Sequence, residues 1–572
     1  MEKQIPVNKG QKNAVKSRRF LRQAFCIILT STFGLSLASI QESLAQGPVQ
    51  DFDYWASLCS SQITAKKYEE AIAACDRILT INPNDAKAWA NRGEALIALS
   101  RYPEAVAAYD QVLRLEPQNS LAATQQCYSL NQQGDYNNAI QACEKALEID
   151  ANWGNISPAM AWYNRAVAQS KLGKTSEGLE SLEWAIRINP KYSLALAERC
   201  SLLSEMAQYD RAIASCNEAL EGEGKLDNGI VAIVWKRLGQ IYQILKYYDK
   251  ALAAYDQALA LNPKDDLTWT SQGFILEILG RHSEALVAYN WALKVNPNSS
   301  LTLTNKCATL NRLANFTEAQ PLCEKALQEG DNKWGREGAA YGWAQLANSL
   351  TGLNRYEEAL AASNRAIALN PNYADAWSNR ATTLWYMGRN PEALAATERA
   401  IAINPDSSVA WFNQGRIFTT LDNLESAVAA YQRGLRGDAN VGNLPTLADL
   451  WVNQSAVLYR LKRYPEAVVA AQQAVGIKPN SAEALYNLAL AQMASKNYAD
   501  AVTAYDRAIA IDAKNANYWA GKGIALQFLE RYAEALPALE EALKLNPNHA
   551  QALVNRDLVQ KKLQPPSVMP LP

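Results

Sequence analysis

A unit of about 34 residues recurs along most of the chain, and this repetition limits the possible folds more than any other sequence feature. The segment WANRGEALIALSRYPEAVAAYDQVLRLEP at 89–117 shares its spacing of Trp, Gly, Ala, Tyr and Pro with WTSQGFILEILGRHSEALVAYNWALKVNP at 269–297. Such a short unit cannot bury its apolar side alone, so neighbouring units must stack into one continuous core. Dividing 572 residues by the size of an ordinary domain would therefore misjudge this chain.

This recurring pattern of Trp, Gly, Ala, Tyr and Pro resembles the tetratricopeptide repeat, in which 34 residues form two antiparallel helices. The resemblance implies an all-α fold, a right-handed superhelical α-solenoid of about fourteen helix-turn-helix units spanning 52–560. Phrases such as NPNDAKAWANRG (82–93) and NPNYADAWSNRA (370–381) are similar to repeats common in cyanobacterial proteins. The small residue of the second helix, at position 20 of each repeat, is Ala71, Ala105, Ala139, Gly178, Ala212, Ala251, Ala285, Ala319, Ala359, Ala393, Ala427, Ala467, Ala501 and Ala535.

The spacing between repeats is not uniform. Four steps are 39 or 40 residues long, and the additional residues lie near 150–160, 222–233, 330–341 and 437–449. Their Asp, Asn and Gly residues are typical of turns. We assign 46–51 as a short linker and 561–572 as a Pro-rich tail.

The first 45 residues have the order of a secretory signal peptide. Seven basic residues precede the apolar run AFCIILTSTFGLSLASI at 24–40, and Ser43 and Ala45 supply the small residues of a cleavage site. We expect the mature chain to begin at Gln46, with an uncleaved membrane anchor as the alternative. No later segment is apolar enough to span a bilayer. The protein is therefore predicted to be exported, to a periplasm or the extracellular space.

Eight cysteines form four pairs, and the members of each pair are sixteen residues apart, at positions 8 and 24 of one repeat. In an antiparallel hairpin these positions face each other, and repeats that have Gly at position 8 usually have Tyr at position 24. Because no two cysteine-bearing repeats are neighbours, we expect four bonds within repeats. The alternative is buried free thiols in a cytosolic protein. The expected disulfides are Cys59–Cys75, Cys127–Cys143, Cys200–Cys216 and Cys307–Cys323.

Composition and motifs argue against several function classes. Residues 1–45 hold seven basic and two acidic side chains, so the remaining chain has a net charge near −6 and lacks the basic stripe of a nucleic-acid binder. We find no phosphate-binding loop, dinucleotide fingerprint or nucleophile elbow. The prediction is therefore a non-enzyme without catalytic residues, metal or cofactor.

The proposed partner surface comes from position 2 of the first helix, which points into the concave groove in the family that the chain resembles. This position is polar near both ends of the array but apolar in seven successive repeats, with aromatic residues at positions 5 and 9 alongside. An exposed apolar row of this kind usually marks a binding site; the alternative is that the residues pack on the preceding repeat or on the inserts. The candidates are Leu121, Tyr128, Met160, Tyr163, Leu194, Ile233, Leu267, Phe274, Leu301 and Tyr341.

The main hypothesis is an exported scaffold or adaptor that binds a protein or peptide segment in its groove. The alternatives are a binder of an envelope polymer or carbohydrate, and an accessory subunit of an enzyme complex. The frequent Asn at position 6 either clamps the backbone of a partner or serves the repeat itself. Nothing in the sequence predicts an oligomeric state.

Overall fold

The computed structural model describes residues 52–222, 226–438 and 447–564. The predicted signal peptide, linker and most of the tail lie outside these residues. The chain divides into two compact units, with the boundary after Lys225. We call the described residues up to 222 the first unit and those from 226 the second unit.

The first unit consists of five helical hairpins. Its helices are α1 (Phe52–Thr64), α2 (Tyr68–Ile81), α3 (Ala86–Ala98), α4 (Tyr102–Leu115), α5 (Ser120–Gln133), α6 (Tyr136–Ile149), α7 (Pro158–Lys171), α8 (Thr175–Ile188), α9 (Ser193–Glu205) and α10 (Tyr209–Glu221).

The second unit contains nine hairpins and a last single helix. Its helices are α11 (Asn228–Ile244), α12 (Tyr248–Leu261), α13 (Asp266–Ile278), α14 (His282–Val295), α15 (Ser300–Arg312), α16 (Phe316–Gln328), α17 (Gly335–Gly352), α18 (Tyr356–Leu369), α19 (Ala374–Tyr386), α20 (Asn390–Ile403), α21 (Ser408–Thr420), α22 (Leu424–Leu435), α23 (Leu447–Arg460), α24 (Tyr464–Ile477), α25 (Ala482–Ala494), α26 (Tyr498–Ile511), α27 (Ala516–Phe528), α28 (Tyr532–Leu545) and α29 (Ala550–Leu563).

The fourteen hairpins coincide with the fourteen predicted repeats, and the described residues contain no strand, so the predicted all-α solenoid is confirmed. Each alanine at position 20 is completely buried. A small side chain at this point lets the two helices of a hairpin approach closely, because no bulky group separates their backbones. A small residue at position 20, which is alanine in thirteen repeats and Gly178 in the other, thus permits close packing in every repeat.

Tryptophan at position 4 connects a first helix to the loop before it. In five repeats the indole Nε1 donates a hydrogen bond to a backbone carbonyl six residues earlier, at distances between 2.7 and 3.0 Å. A partly buried indole usually finds such an acceptor, and here a carbonyl of the loop between consecutive repeats provides it. The five are Trp89, Trp269, Trp377, Trp411 and Trp519.

The predicted inserts are not entirely loops. The first helix after each insert begins inside that insert, at Pro158, Asn228, Gly335 and Leu447, and the helices that begin at Asn228 and Gly335 are 17 and 18 residues long. In these two long helices, the Ile, Val and Ala residues of the insert continue the helix after its first residues. The inserts at 222–233 and 437–449 also extend outside the described residues. The final helix continues to Leu563, beyond the predicted end at 560, and stops two residues before Pro565.

Candidate functional site

Helix α13 presents three exposed apolar side chains on one of its sides. Leu267, Phe274 and Ile278 stand at intervals of seven and four residues, which places them along a single stripe of the helix. All three side chains are exposed to solvent. Two of them are candidates from the sequence, and Ile278 extends the same stripe by one turn.

The neighbouring first helices continue this exposed surface. On α11, Ile233 and Ile244 are exposed, and on α15 Leu301 is exposed. The exposed fractions of the three residues at position 2 are 58% for Ile233, 51% for Leu267 and 41% for Leu301. We call the surface formed by these side chains the apolar face; its members are Ile233, Ile244, Leu267, Phe274, Ile278 and Leu301.

Polar contacts between repeats hold the three helices of the apolar face side by side. The Lys236 ammonium of α11 lies 2.8 Å from a carboxylate oxygen of Asp265, the residue that caps α13. The hydroxyl oxygens of Thr270 on α13 and Thr302 on α15 are 2.7 Å apart. Because these contacts fix the helix register, the apolar side chains stay on one side of three consecutive repeats.

A buried carboxylate lies behind this face. Glu277 is only 9% exposed, and its Oε2 accepts hydrogen bonds from Thr309 at 3.0 Å and from the Tyr289 hydroxyl at 3.2 Å. Arg312 forms an ion pair with the other oxygen at 3.3 Å. A buried carboxylate such as Glu277 requires partners of this kind. Burial, together with the nearby Glu277 carboxylate, raises the pKa of the Tyr289 hydroxyl. Sequence reasoning missed this cluster, although a Glu within the apolar stretch GFILEILG is an available signal.

Tyr341 was expected on the exposed row, but it is half-buried. Burial raises the pKa of the Tyr341 hydroxyl. The Glu277 carboxylate also raises this pKa, whereas the Arg312 guanidinium lowers it. The structure therefore places Tyr341 close to the buried charged cluster and not on the apolar face.

The candidates of the first unit are half-buried like Tyr341, in contrast to the other four candidates of the second unit. The insert after α6 covers Leu121. Gly154 lies against the Leu121 side chain, and the backbone amide of Leu121 donates a hydrogen bond to the Asn152 carbonyl at 3.3 Å. Tyr163 packs edge-on against Tyr192, with ring centroids 5.5 Å apart. These residues do not form an exposed row, because local structure already covers much of them. The half-buried candidates are Leu121, Tyr128, Met160, Tyr163 and Leu194.

All four predicted cysteine pairs lie at disulfide distance, which is consistent with four bonds. Their Cα atoms are 5.1 to 5.7 Å apart, and every one of the eight side chains is completely buried. The predicted contact between positions 8 and 24 is also confirmed in the repeats that have Gly and Tyr there. In these the tyrosine ring lies directly against the glycine, at Gly93, Gly239, Gly273 and Gly415.

The Asn at position 6 serves the repeat array. In three repeats its Nδ2 donates to the backbone carbonyl of position 5 in the preceding repeat, as seen for Asn379, Asn413 and Asn487. These bonds of 3.0 to 3.3 Å connect consecutive first helices. At these three positions the Asn side chain therefore serves the repeat array, which is one of the two roles considered from the sequence.

Comparison with family models settles the classification. Models described as tetratricopeptide repeat or TPR repeat match residues 60–124, 128–152, 159–192, 232–265, 347–388, 378–441, 458–523 and 516–549, which together exceed half of the chain. The chain belongs to the tetratricopeptide-repeat family. A search of curated proteins returned no match.

The solved structures that match this tetratricopeptide-repeat protein are remote from it in sequence. The crystal structure of the APC/C hetero-tetramer Cut9–Hcn1 matches with 16% identity, a TM-score of 0.42, and 92% of this chain and 99% of that one covered. The structure of Naa15/Naa10 bound to HypK-THB matches with 17% identity, a TM-score of 0.33, and 92% and 93% covered. YrrB, described as a TPR protein with an unusual peptide-binding site, matches with 22% identity and a TM-score of 0.31, and 36% of this chain and all of that one are covered.

The described residues contain neither a membrane-spanning helix nor a cluster of metal ligands. No helix there combines the length and the apolar character needed to cross a bilayer. Nor does that part of the chain contain a group of three or more His, Cys, Asp or Glu side chains arranged to hold a metal ion.

Proposed function

We propose that this tetratricopeptide-repeat protein is a non-enzymatic scaffold that acts outside the cytoplasm and binds a protein or peptide segment on its apolar face. The exposed row of Ile233, Leu267 and Leu301 is the observation on which the proposal rests. Exposed apolar residues at equivalent positions of three consecutive repeats are typical of an interaction surface. A bound segment would place one apolar side chain against each repeat.

The chemistry of the apolar face favours a peptide over a carbohydrate polymer. Five of its six side chains are aliphatic, and Phe274 is its one aromatic member. Sugar rings are usually bound by aromatic platforms, whereas aliphatic side chains fit the side chains of another protein. The exposed Trp184 and Trp291 belong to second helices and pack against Trp162 and Trp269 of their own repeats.

The proposed location rests on the cysteines and on the N-terminal segment. Disulfides persist in oxidising compartments, and four buried pairs at bonding distance fit such a location. We expect protein recovered from an exporting cell to begin at Gln46 and to contain no titratable thiol after denaturation. Eight free thiols, or a retained Met1, would contradict export with cleavage.

Site-specific photocrosslinking in intact cells tests the binding proposal. A benzophenone amino acid at Leu267 should crosslink to a discrete set of partners, which mass spectrometry of the product would identify. Val469 is the matched control, because it is equally apolar and 55% exposed but lies on the second helix α24. Identical products from both positions, or none from Leu267, would contradict binding at the apolar face.

A further inference from the structure

The residue before a first helix often caps that helix. In nine first helices an Asp, Asn or Ser side chain accepts a hydrogen bond from a backbone amide of the first turn, a donor that has no partner within the helix. A tenth cap is His549, which precedes the last described helix, α29. The other nine caps are Asp85, Asn119, Ser157, Asp227, Asp265, Ser299, Ser407, Ser481 and Asn515.

The two hydrogen bonds of His549 require one particular form of its imidazole ring. Nδ1 accepts a hydrogen bond from the backbone amide of Ala552 at 3.2 Å, so this nitrogen carries no hydrogen. Nε2 lies 3.1 Å from the side-chain oxygen of Asn517. An amide oxygen can only accept, so Nε2 carries the hydrogen. Both bonds therefore form together only in the neutral ring.

Protonation of this ring would break the cap. A hydrogen on Nδ1 would face the N–H group of Ala552, and two donors cannot bond to each other. The positive ring would also lie at the N-terminus of α29, where the helix dipole disfavours a cation. Histidine side chains ordinarily change charge between pH 5 and 8, whereas Ser and Asn caps do not titrate and Asp caps stay anionic there.

The charged groups around His549 do not pair with it. Lys544 of α28 pairs with Glu541 at 3.1 Å, and Asp512, in the loop before α27, accepts from the backbone amide of Lys514 at 3.0 Å. In the described part of the chain, none of the titratable groups nearest to this cap forms an ion pair with His549. These groups are Asp512, Lys514 and Tyr518 beside and on α27, Glu541 and Lys544 on α28, and Arg556 and Asp557 on α29.

Helix α29 is held on the array by few buried side chains. Ala552 and Val559 are completely buried and belong to the apolar cluster of the last hairpin, together with Leu539. Val554 and Leu558 on the same helix are exposed, because no further repeat follows within the described residues. A terminal helix with so little burial opens more easily than the helices inside the array, so its cap has a large share in keeping it in place.

We propose that His549 makes the docking of α29 sensitive to pH. The helix is packed on the last hairpin at neutral pH and detaches in mildly acidic solution, which exposes the apolar side of that hairpin around Leu539. The switch does not depend on partner binding at the apolar face.

Hydrogen exchange with mass spectrometry, at pH 7.5 and pH 5.0, tests this switch. Exchange rates are first corrected for the pH dependence of the intrinsic amide chemistry. The protection of amides in 550–563 should then be about tenfold lower at pH 5.0 than at pH 7.5. Helix α27 is the internal reference, because its cap, Asn515, does not titrate and its protection should not change.

Two variants distinguish titration of this ring from a purely structural role. His549→Asn should protect α29 equally at both pH values, because Asn119 and Asn515 cap other helices of this array. His549→Ala should show low protection at both, since it lacks a cap at either pH. An unchanged protection of α29 in the wild type, a loss that persists in His549→Asn, or an equal loss in α27 would overturn the proposal.

Discussion

Gly273 packs so closely against Tyr289 that an added methyl group has no room. A Cβ atom at Gly273 would lie 2.5 Å from ring atom Cε1 and 2.8 Å from Cδ1 of that tyrosine. The ring cannot move away easily, because it is completely buried and its hydroxyl donates to Glu277. We therefore expect Gly273→Ala to destabilise the hairpin formed by α13 and α14.

Two opposing terms set the size of this effect. Alanine is the better helix former, which favours the variant by about 1 kcal/mol. Overpacking a tight core costs about 1–3 kcal/mol, and a contact far inside van der Waals distance lies near the upper end of that range. The expected net loss is about 2 kcal/mol in the free energy of unfolding of this repeat.

Chemical denaturation combined with hydrogen exchange of the amides in 266–295 measures the loss. Gly476→Ala is the matched control, because no atom lies within 4 Å of its added Cβ, and this variant should gain up to about 1 kcal/mol. In a Tyr289→Ser background, Gly273→Ala should cost nothing. If both glycine variants are equally stable in the wild-type background, the reasoning about the close contact is wrong.

Three further predictions concern stability. Replacing Cys59 and Cys75 by Ser should lower the free energy of unfolding by about 3 kcal/mol in the loop-entropy treatment, with hydrogen exchange increasing only near the first hairpin. Trp377→Phe removes the bond to the Pro371 carbonyl and should cost about 1 kcal/mol, as measured by urea denaturation. Burial raises the pKa of Tyr431 to about 12. The contribution of its neutral hydroxyl to the free energy of unfolding is therefore present below pH 10 and is lost as the pH rises towards 12. Tyr431→Phe should make alkaline unfolding less steep in that interval.

The fold could be predicted from the sequence because every repeat has a small residue at position 20, where the two helices of a hairpin pack together. An alanine at position 20 permits close helix approach in one repeat, and its recurrence at a fixed spacing identifies the others. Paired changes such as Gly273 with Tyr289 also indicate which positions touch. Insert ends were predicted less well, because turn residues such as Asp227 mark where a loop is needed but not where the next helix begins.

The candidate site could be predicted only in part. Position within the repeat indicates the side of the helix on which Leu121 and Leu267 lie, but not what covers that side. Leu121 is covered by Gly154 from an insert, a contact between residues whose approach depends on the path of the loop. Leu267 has no such cover and is exposed.

Charged residues at the site were harder to predict than apolar ones. A glutamate on an amphipathic helix is usually solvated, so Glu277 gave little reason to expect a buried cluster with Thr309 and Arg312. Likewise, the guanidinium carbon of Arg416 lies 3.7 Å from the ring centroid of Trp385, which belongs to the preceding repeat. Such pairs depend on rotamers and on the distance between helices, which a pattern of residue types does not specify.

The central claim is that the apolar face binds the partner. Its most direct test is the affinity for the segment recovered from the Leu267 crosslink, measured for the wild type and for Leu267→Glu with Leu301→Glu. Burying the exposed half of each leucine is worth about 1 kcal/mol, and an unpaired carboxylate in its place adds a further penalty, so binding should weaken at least 100-fold, by roughly 3 kcal/mol. Val287→Glu with Val469→Glu, on exposed second-helix sites, should bind like the wild type. Equal weakening in both double variants, or none in the first, would contradict the claim.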